Sequence, residues 1–378
     1  MSHQFFPWVE IDLSTLKHNL DVMRKLVGRN VKVAATIKAN AYGHGLVEIA
    51  KFFEKQKIYY LCVARISEAL KLREFKIKAP ILVLGYTPAE YFQEIVTHNL
   101  AVTVQSLDVA KMLATEGRRK NKIVKIHVKV ETGMHRIGIE SPQILFFIKK
   151  ILDLPNLEIE GIFTHFADVD NYDLDFAKLQ LSRFQFVVDE LQKAGIKIPI
   201  LHTANSAATL RLLESYYNMI RPGLALYGLN PASEVYSDDD FSLKSDLEPV
   251  LSFKTRISHI RDVPMGETIG YGRTFKTDQD TLVGTISVGY GDGFRRAPQN
   301  YAEVLVRGIR CPILGRVAMD TCQIDITKVP QVNVSDEVVL IGKSQDEIIT
   351  ASEVAKKLGT INYEVVTGIM ERVERRYK

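Results

Sequence analysis

From Ser14 to about Tyr227 the chain alternates short apolar, β-branched runs with segments whose apolar positions recur at helical spacing. The runs are VKVAATI (31–37), IYYLCVA (58–64), ILVLGY (81–86), LAVTVQ (100–105), IVKIHVKV (123–130), EIEGIFTHF (158–166), IPILHTA (198–204) and YYNMIR (216–221). Between them, Leu13–Leu26, opening at Ser14, and Tyr172–Ala194, with Phe176, Leu179, Phe184, Val187, Val188 and Leu191, read as amphipathic helices. Strand and helix alternating about eight times over roughly 220 residues predict a (β/α)8 barrel over 12–235. The structural alternative, a doubly wound open sheet, would carry a Gly-rich fingerprint after its first strand, and none is present.

The pattern changes at NPASEVYSDDDFSLKSD (230–246), which is polar, acidic and poor in apolar residues, and so reads as a linker. Beyond it VLSFKTRISHI, TLVGTISVGY, AEVLVRGIRCPIL, TCQIDIT and DEVVLIG alternate between Gly, Pro and Asp breaks. That predicts a smaller, mostly-β domain over 245–378, joined by an N-terminal strand within 1–11. Only TASEVAKKLG (350–359) reads as helical there.

With 378 residues, 46% of them hydrophobic, the chain has room for one large domain and a smaller one. Its 49 basic and 45 acidic residues nearly cancel, and no basic stripe is interleaved with aromatics, so a small-molecule partner is expected rather than nucleic acid. Cys62, Cys311 and Cys322 are far apart, with no CxxC pair, which argues against a disulfide framework and a zinc site and for a reducing compartment. The start, MSHQFFPWVEIDLS, lacks a signal-peptide pattern and no run approaches a membrane span, so a cytoplasmic location without membrane contact is expected.

Catalytic groups of such a barrel sit at the C-terminal ends of its strands. Lys38 ends the first; taken alone it reads as a snorkelling strand terminus. Lys129 and Arg136 follow the fifth, His165 the sixth, Asn205 and Ser206 the seventh and Arg221 the eighth. A lysine in apolar surroundings loses its proton more easily and can form a Schiff base with an aldehyde. Ser206, at the start of a helix, could hold a phosphate with the free N–H groups there. Lysine and phosphate cup together suggest pyridoxal 5'-phosphate. For His165 the ordinary reading is a satisfied core residue, and Asp168 and Asp170 beside it give no metal-ligand spacing, so no metal is expected. GYGDG (289–293) is followed by no clear helix, and ANAYGHG lacks the end of a P-loop.

TIKANAYGHG, KVETGMHRIG, HTANSAAT, MIRPGLALYG, GETIGYGRTF, SVGYGDGF and GRVAMD occur in this order. Over essentially its whole length the chain thereby resembles the alanine racemases, fold type III pyridoxal-phosphate enzymes with an N-terminal barrel and a C-terminal β domain.

The resemblance implies that Lys38 holds the cofactor and serves as base on one face of the substrate, with Tyr271 as acid or base on the other. Racemisation needs two such groups, because the proton leaves one side of Cα and arrives on the other. A phenol is a poor base at neutral pH unless neighbouring positive charge lowers its pKa. Arg221 would face the pyridine nitrogen and, as a permanent donor, leave it unprotonated. His165 would hydrogen-bond to Arg221. Tyr42, Ser206, Gly223 and Leu224 would bind the phosphate, Arg136 and Met319 the substrate. Lys129 matches a lysine often N-carboxylated, whose carbamate would anchor Arg136; its ordinary reading is an inward polar residue. A homodimer with Tyr271 and Met319 donated across the interface is implied, as is the conversion of L-alanine to D-alanine for peptidoglycan.

Three positions depart from the family pattern or vary within it. Glu131 stands where aspartate is commoner, Glu371 where some members have a tyrosine seating the catalytic phenol, and Ala318 at a variable site. The rival readings are a racemase or decarboxylase for another amino acid, such as serine, and a non-catalytic carrier of the same cofactor. The carrier would lack the β domain and its GETIGYGRTF segment. Pocket size, and hence substrate choice, does not follow from the residues, since one methylene changes discrimination by only about 1–3 kcal/mol.

Overall fold

The structure, a computed structural model, describes residues 6–232, 245–298 and 302–378. Most of the stretch expected to link the domains, 230–246, lies outside the described residues. One compact unit is built on His18–Leu226; the other combines the N-terminal segment ending at Lys17 with Glu248–Lys378 and the short stretch beginning at Tyr227. The continuous part of the barrel unit runs to Leu226, and Tyr227 begins a short stretch grouped with the second unit. The short turn Leu224–Tyr227 is fully buried, and within the second unit the Tyr227 carbonyl accepts the Val250 N–H at 3.1 Å.

Strand β1 (Trp8–Ile11) belongs to the second unit. The barrel begins with β2 (Lys32–Thr36), β3 (Tyr60–Val63), β4 (Ile81–Val83), β5 (Ala101–Val104) and β6 (Val124–Glu131), the last flanked by the short β7 (Ile139–Glu140). It continues with β8 (Leu157–Phe163), β9 (Ile200–His202) and β10 (Met219–Ile220). All pair in parallel in the order β10-β2-β3-β4-β5-β6-β8-β9. This is a nearly closed (β/α)8 barrel. Ala34, Tyr60, Cys62, Leu82, Ala101, Ile200 and Met219 pack together across its interior, so the barrel is a filled core.

The seam between β9 and β10 is joined by backbone bonds from Asn218 N–H to Leu201 O (3.3 Å) and from Arg221 N–H to Ala204 O (2.9 Å). The Asn218 side chain accepts Leu201 N–H and donates to Pro199 O, both at 2.8 Å. The expected run YYNMIR shortens to the two residues of β10 because Asn218 makes turn-like side-chain bonds there. The helix expected to open at Ser14 is Leu13–Val27, and its cap is Asp12, whose Oδ1 accepts the N–H of Ser14 (2.8 Å) and Thr15 (2.9 Å).

The second unit is mostly β: β11 (Leu251–Val263), the hairpin β12 (Thr268–Ile269) and β13 (Phe275–Lys276), β14 (Thr281–Ile286), β15 (Glu303–Val306), β16 (Ile309–Leu314), β17 (Cys322–Asp325), β18 (Glu337–Ser344), β19 (Glu347–Ile349) and β20 (Glu374–Tyr377). Its long strand β11 pairs with β1, β14 and β18, which curls the sheet upon itself. β1 lies between β11 and β20, antiparallel to the first and parallel to the second. Two helices, Ala351–Leu358 and Asn362–Thr367, stand where one was expected. The second is too short to show a periodicity. Among the described residues no helix is long and apolar enough to cross a membrane.

Asn218→Ala should remove both side-chain bonds at the seam and lower unfolding free energy by about 1–3 kcal/mol in urea titration. An unchanged midpoint would show that the seam does not depend on them.

Candidate active site

Behind Lys38 the chain enters an unusual turn. Ala39, Asn40, Ala41 and Tyr42 all have φ between 53° and 55°, the left-handed region, which L-residues enter at roughly 1–2 kcal/mol each. The neighbours hold it there. Glu68 accepts the Ala39 N–H at 2.6 Å with one carboxylate oxygen and the Ala64 and Arg65 N–H groups with the other (2.9 and 3.0 Å). Asn40 Oδ1 accepts Leu46 N–H at 2.8 Å, and His44 Nδ1 lies 3.0 and 2.9 Å from the Ala41 and Tyr42 carbonyls. Gly45, at φ 99°, ends the turn and opens the helix Leu46–Lys55.

This turn carries Tyr42 to the far side of the mouth. A Cβ on Gly223 would come within 2.4 Å of Tyr42 Oη, so only glycine lets the phenol and that backbone approach. Ser206 Oγ accepts the Gly223 N–H (2.9 Å) and the Ala225 N–H (3.2 Å), and Leu224 lies buried between them. Asn205 caps the short helix Ser206–Arg211 by accepting Ala208 N–H at 2.9 Å. Tyr42, Ser206, Gly223 and Leu224, expected together, are thus brought to one place.

Lys38, Lys129 and His165 gather at the same end of the barrel, where Arg136 and Arg221 lie close enough to lower the pKa of all three. Burial first, and then Arg136 and Arg221, lower the Lys38 pKa, while Glu68 opposes them. For Lys129 burial, then Arg136 and Arg221, bring the value down to about 7, against the pull of Glu131. His165 is held well below its ordinary value by burial and then by Arg221 and Arg136, so its ring is neutral. Burial lowers Arg221 to about 10, which still leaves it charged at neutral pH. Arg136 itself is exposed, on the loop after β6. Glu131 braces that loop by accepting the Gly133 N–H (2.5 Å) and Met134 N–H (2.6 Å), and these bonds keep its pKa low despite burial, which raises it.

The imidazole bonded to Arg221 is not the expected His165. Arg221 NH1 donates to His202 Nδ1 at 2.8 Å, and its other terminal nitrogen donates to the carbonyls of Thr164 (2.8 Å) and Thr203 (3.0 Å). His202 ends β9 with its ring stacked on Phe163 (centroids 4.7 Å apart), and the Arg221 guanidinium lies 5.2 Å from the same phenyl ring. His165 lies beyond the end of β8, where its carbonyl accepts Gln180 Nε2 at 3.2 Å.

Two family models match the chain: the alanine racemase N-terminal domain over residues 11–231 and the alanine racemase C-terminal domain over 250–377. An alanine racemase of Methanococcus maripaludis is 42% identical over 98% of both chains. The chain belongs to the alanine racemase family. Solved family members include the Clostridium difficile 630 alanine racemase (38% identity, TM-score 0.92, covering 98% of this chain and 95% of that one). A Bacillus anthracis alanine racemase with bound L-Ala-P is 37% identical, with TM-score 0.91, covering 100% of this chain and 96% of that one.

The family's C-terminal domain carries Tyr271 in a short turn between β12 and β13, 69% exposed, and Met319 between β16 and β17, 53% exposed. Gly272 brings the Tyr271 turn against Arg316, whose NH1 would lie 3.0 Å from a Cβ there. Arg372 pairs with Asp292 and Asp320, both at 2.7 Å, and so ties the Tyr290–Asp292 turn to the segment after Met319. Glu371, beside it, is exposed. Glu68 and His202 escaped the sequence reading. In sequence Glu68 is only an acid in the first turn of Ile66–Glu74, and His202 lies inside an apolar run.

The lowered Lys129 pKa has a consequence for stability. Between about 7 and the ordinary 10.5 the folded chain holds fewer protons at this residue than the unfolded one, so its contribution to stability rises with pH across that window. In CO2-free buffer Lys129→Met should therefore gain most over the parent below pH 7 and lose that advantage towards pH 10.5, read by denaturant titration at several pH values. A constant difference would contradict the buried amine.

Proposed function

We propose that the chain is a pyridoxal-phosphate-dependent racemase that interconverts L-alanine and D-alanine using two proton-handling groups, Lys38 and Tyr271. The observation that carries this reading is the joint presence, at one barrel mouth, of a half-buried lysine with lowered pKa, Lys38, several cations and a cradle of polar groups. The names of its relatives, among them a structure with bound L-Ala-P, support alanine as substrate.

The residues fit the cofactor. The Tyr42 phenol stands where a Gly223 side chain would be, so its hydroxyl, Ser206 Oγ and the backbone at Gly223 and Leu224 converge as groups that suit an anion. Tyr42, Ser206, Gly223 and Leu224 would hold the phosphate, Lys38 the aldehyde carbon, and Arg221 would face the ring nitrogen. When bound, the cofactor supplies an aldehyde for an amine and a ring that spreads the charge left when Cα loses its proton.

The chain's own residues do the rest. Arg136 and Met319 would orient the substrate, Arg136 by its carboxylate. Lys38, which burial and neighbouring cations make easier to deprotonate, takes or returns the proton on one face of Cα. Tyr271 Oη does the same on the opposite face. Arg221 would donate to the ring nitrogen without transferring its proton, which would restrain the ring as an electron sink and disfavour side reactions. Tyr271 and Met319, both exposed on their own unit, would complete the site of a partner subunit in a homodimer. Lys129, with a neutral amine accessible near pH 7, would take up CO2 as N6-carboxylysine and place a negative charge near Arg136. The D-alanine would be made in the cytoplasm for peptidoglycan precursors.

Lys38→Ala should abolish covalent capture of pyridoxal phosphate by borohydride; capture retained would place the linkage elsewhere. Tyr271→Phe should slow Cα exchange by about a hundredfold or more and unequally from the two enantiomers. Equal, undiminished exchange from both would remove Tyr271 from the reaction.

A further inference from the structure

A continuous line of buried polar groups runs through the barrel beneath Arg221. Arg221 NH1 meets His202 Nδ1 at 2.8 Å, His202 Nε2 meets His127 Nδ1 at 2.8 Å, and His127 Nε2 meets Glu160 Oε2 at 3.1 Å. Guanidinium can only donate, so His202 Nδ1 accepts and its proton is on Nε2. His127 Nδ1 must then accept, its proton is also on Nε2, and Glu160 receives it. Every donor along the line points away from the mouth. Lys125 (2.7 Å) and the Tyr60 hydroxyl also donate to Glu160.

The line crosses the barrel lengthwise. Tyr60 begins β3, Lys125 lies near the start of β6, and Glu160 precedes the last residues of β8, whereas His202 ends β9 and Arg221 follows β10. Glu160, Lys125 and Tyr60 line a cavity of about 370 Å3 at the N-terminal end of the strands, together with Lys57, Arg73 and Lys78.

Two backbone features accommodate it. Ile126 pairs with Ile159 but His127 with Gly161, so Glu160 is the extra residue of a β-bulge, a device that re-aims a side chain. A Cβ at Gly161 would lie 2.3 Å from His127 Nδ1, so glycine gives the imidazole its place. The protonation states agree with this direction. Both imidazoles are kept neutral, mainly by burial, and the donors on Glu160 outweigh its own burial to hold its pKa at about 2.

We propose that Glu160, His127 and His202 are positioning residues for Arg221, which fix how its guanidinium is turned and how strongly it donates to the ring nitrogen facing it. The inference rests on the cofactor reading above. The anionic end polarises His127, which makes each nitrogen up the line a better acceptor and leaves Arg221 a weaker donor towards the mouth. Electron demand at the ring is thus set partly from the opposite end of the barrel.

The test is nitrogen NMR. In cofactor-free protein with 15N-labelled histidine, His127 and His202 should both be Nε2-protonated tautomers; an Nδ1-protonated or doubly protonated ring at either position overturns the proposal. Reconstitution with ring-15N pyridoxal phosphate then reads the far end. Glu160→Gln, which keeps shape and removes charge, should move the ring-nitrogen resonance towards that of a more strongly hydrogen-bonded ring. Tyr60→Phe, which frees the carboxylate of one donor, should move it the opposite way. Unmoved resonances in folded variants overturn the proposal, because a merely structural role would change stability and leave the ring nitrogen unaffected. If Glu160→Gln does not fold, the sign of the Tyr60→Phe shift decides. Failure of the parent protein to take up pyridoxal phosphate would sink the cofactor reading instead, and the tautomers would still decide the relay.

Discussion

Burying several positive groups at one end of a barrel is the constraint around which this molecule is arranged. Lys129 and Arg221 are buried and Lys38 partly so, near Arg136, and the two guanidinium groups make both lysines harder to keep charged. The amines respond by losing protons more easily, whereas the guanidinium of Arg221 keeps its charge by giving its donors to His202 and two carbonyls. The carboxylates whose fields reach the lysines, Glu68 and Glu131, are committed to backbone N–H groups. An amine that gives up its proton easily beside fixed positive charge would suit a phosphorylated aldehyde, as the proposed cofactor is.

Holding it requires backbone that is costly in isolation. Four successive left-handed residues after Lys38 persist because Glu68, Asn40 and His44 over-determine them, and because Gly45 lets the next helix start at once. The same logic recurs at Gly223 against Tyr42 and at Gly161 against His127, where the missing Cβ is the space that a functional side chain occupies. A (β/α)8 barrel suits this. Its strands form a filled, rigid core, and the conformational cost is confined to the loops at their ends.

Much of this was written in the sequence in periodic form. Apolar runs and helical spacings carry a strong local signal, so the barrel and the β-rich second unit are visible in the sequence alone. Pairings were less legible. That His202 rather than His165 meets Arg221 depends on which residues of neighbouring strands face inward, and a bulge at Glu160 changes that without a sequence signature. The roles of Glu68 and His127 are likewise set by residues distant in the chain, at separations of 29 and 75 for their bonds to Ala39 and His202. Short elements also escaped, such as the helix Asn362–Thr367, because they end before a period can repeat.

Racemisation by Lys38 and Tyr271 is read by incubating the purified protein and pyridoxal phosphate with L-alanine in D2O, with Cα deuteration followed by NMR and enantiomer ratio by chiral chromatography. A two-base racemase yields deuterated alanine approaching equal amounts of the two enantiomers. Bound cofactor with neither Cα exchange nor D-alanine would contradict such racemisation.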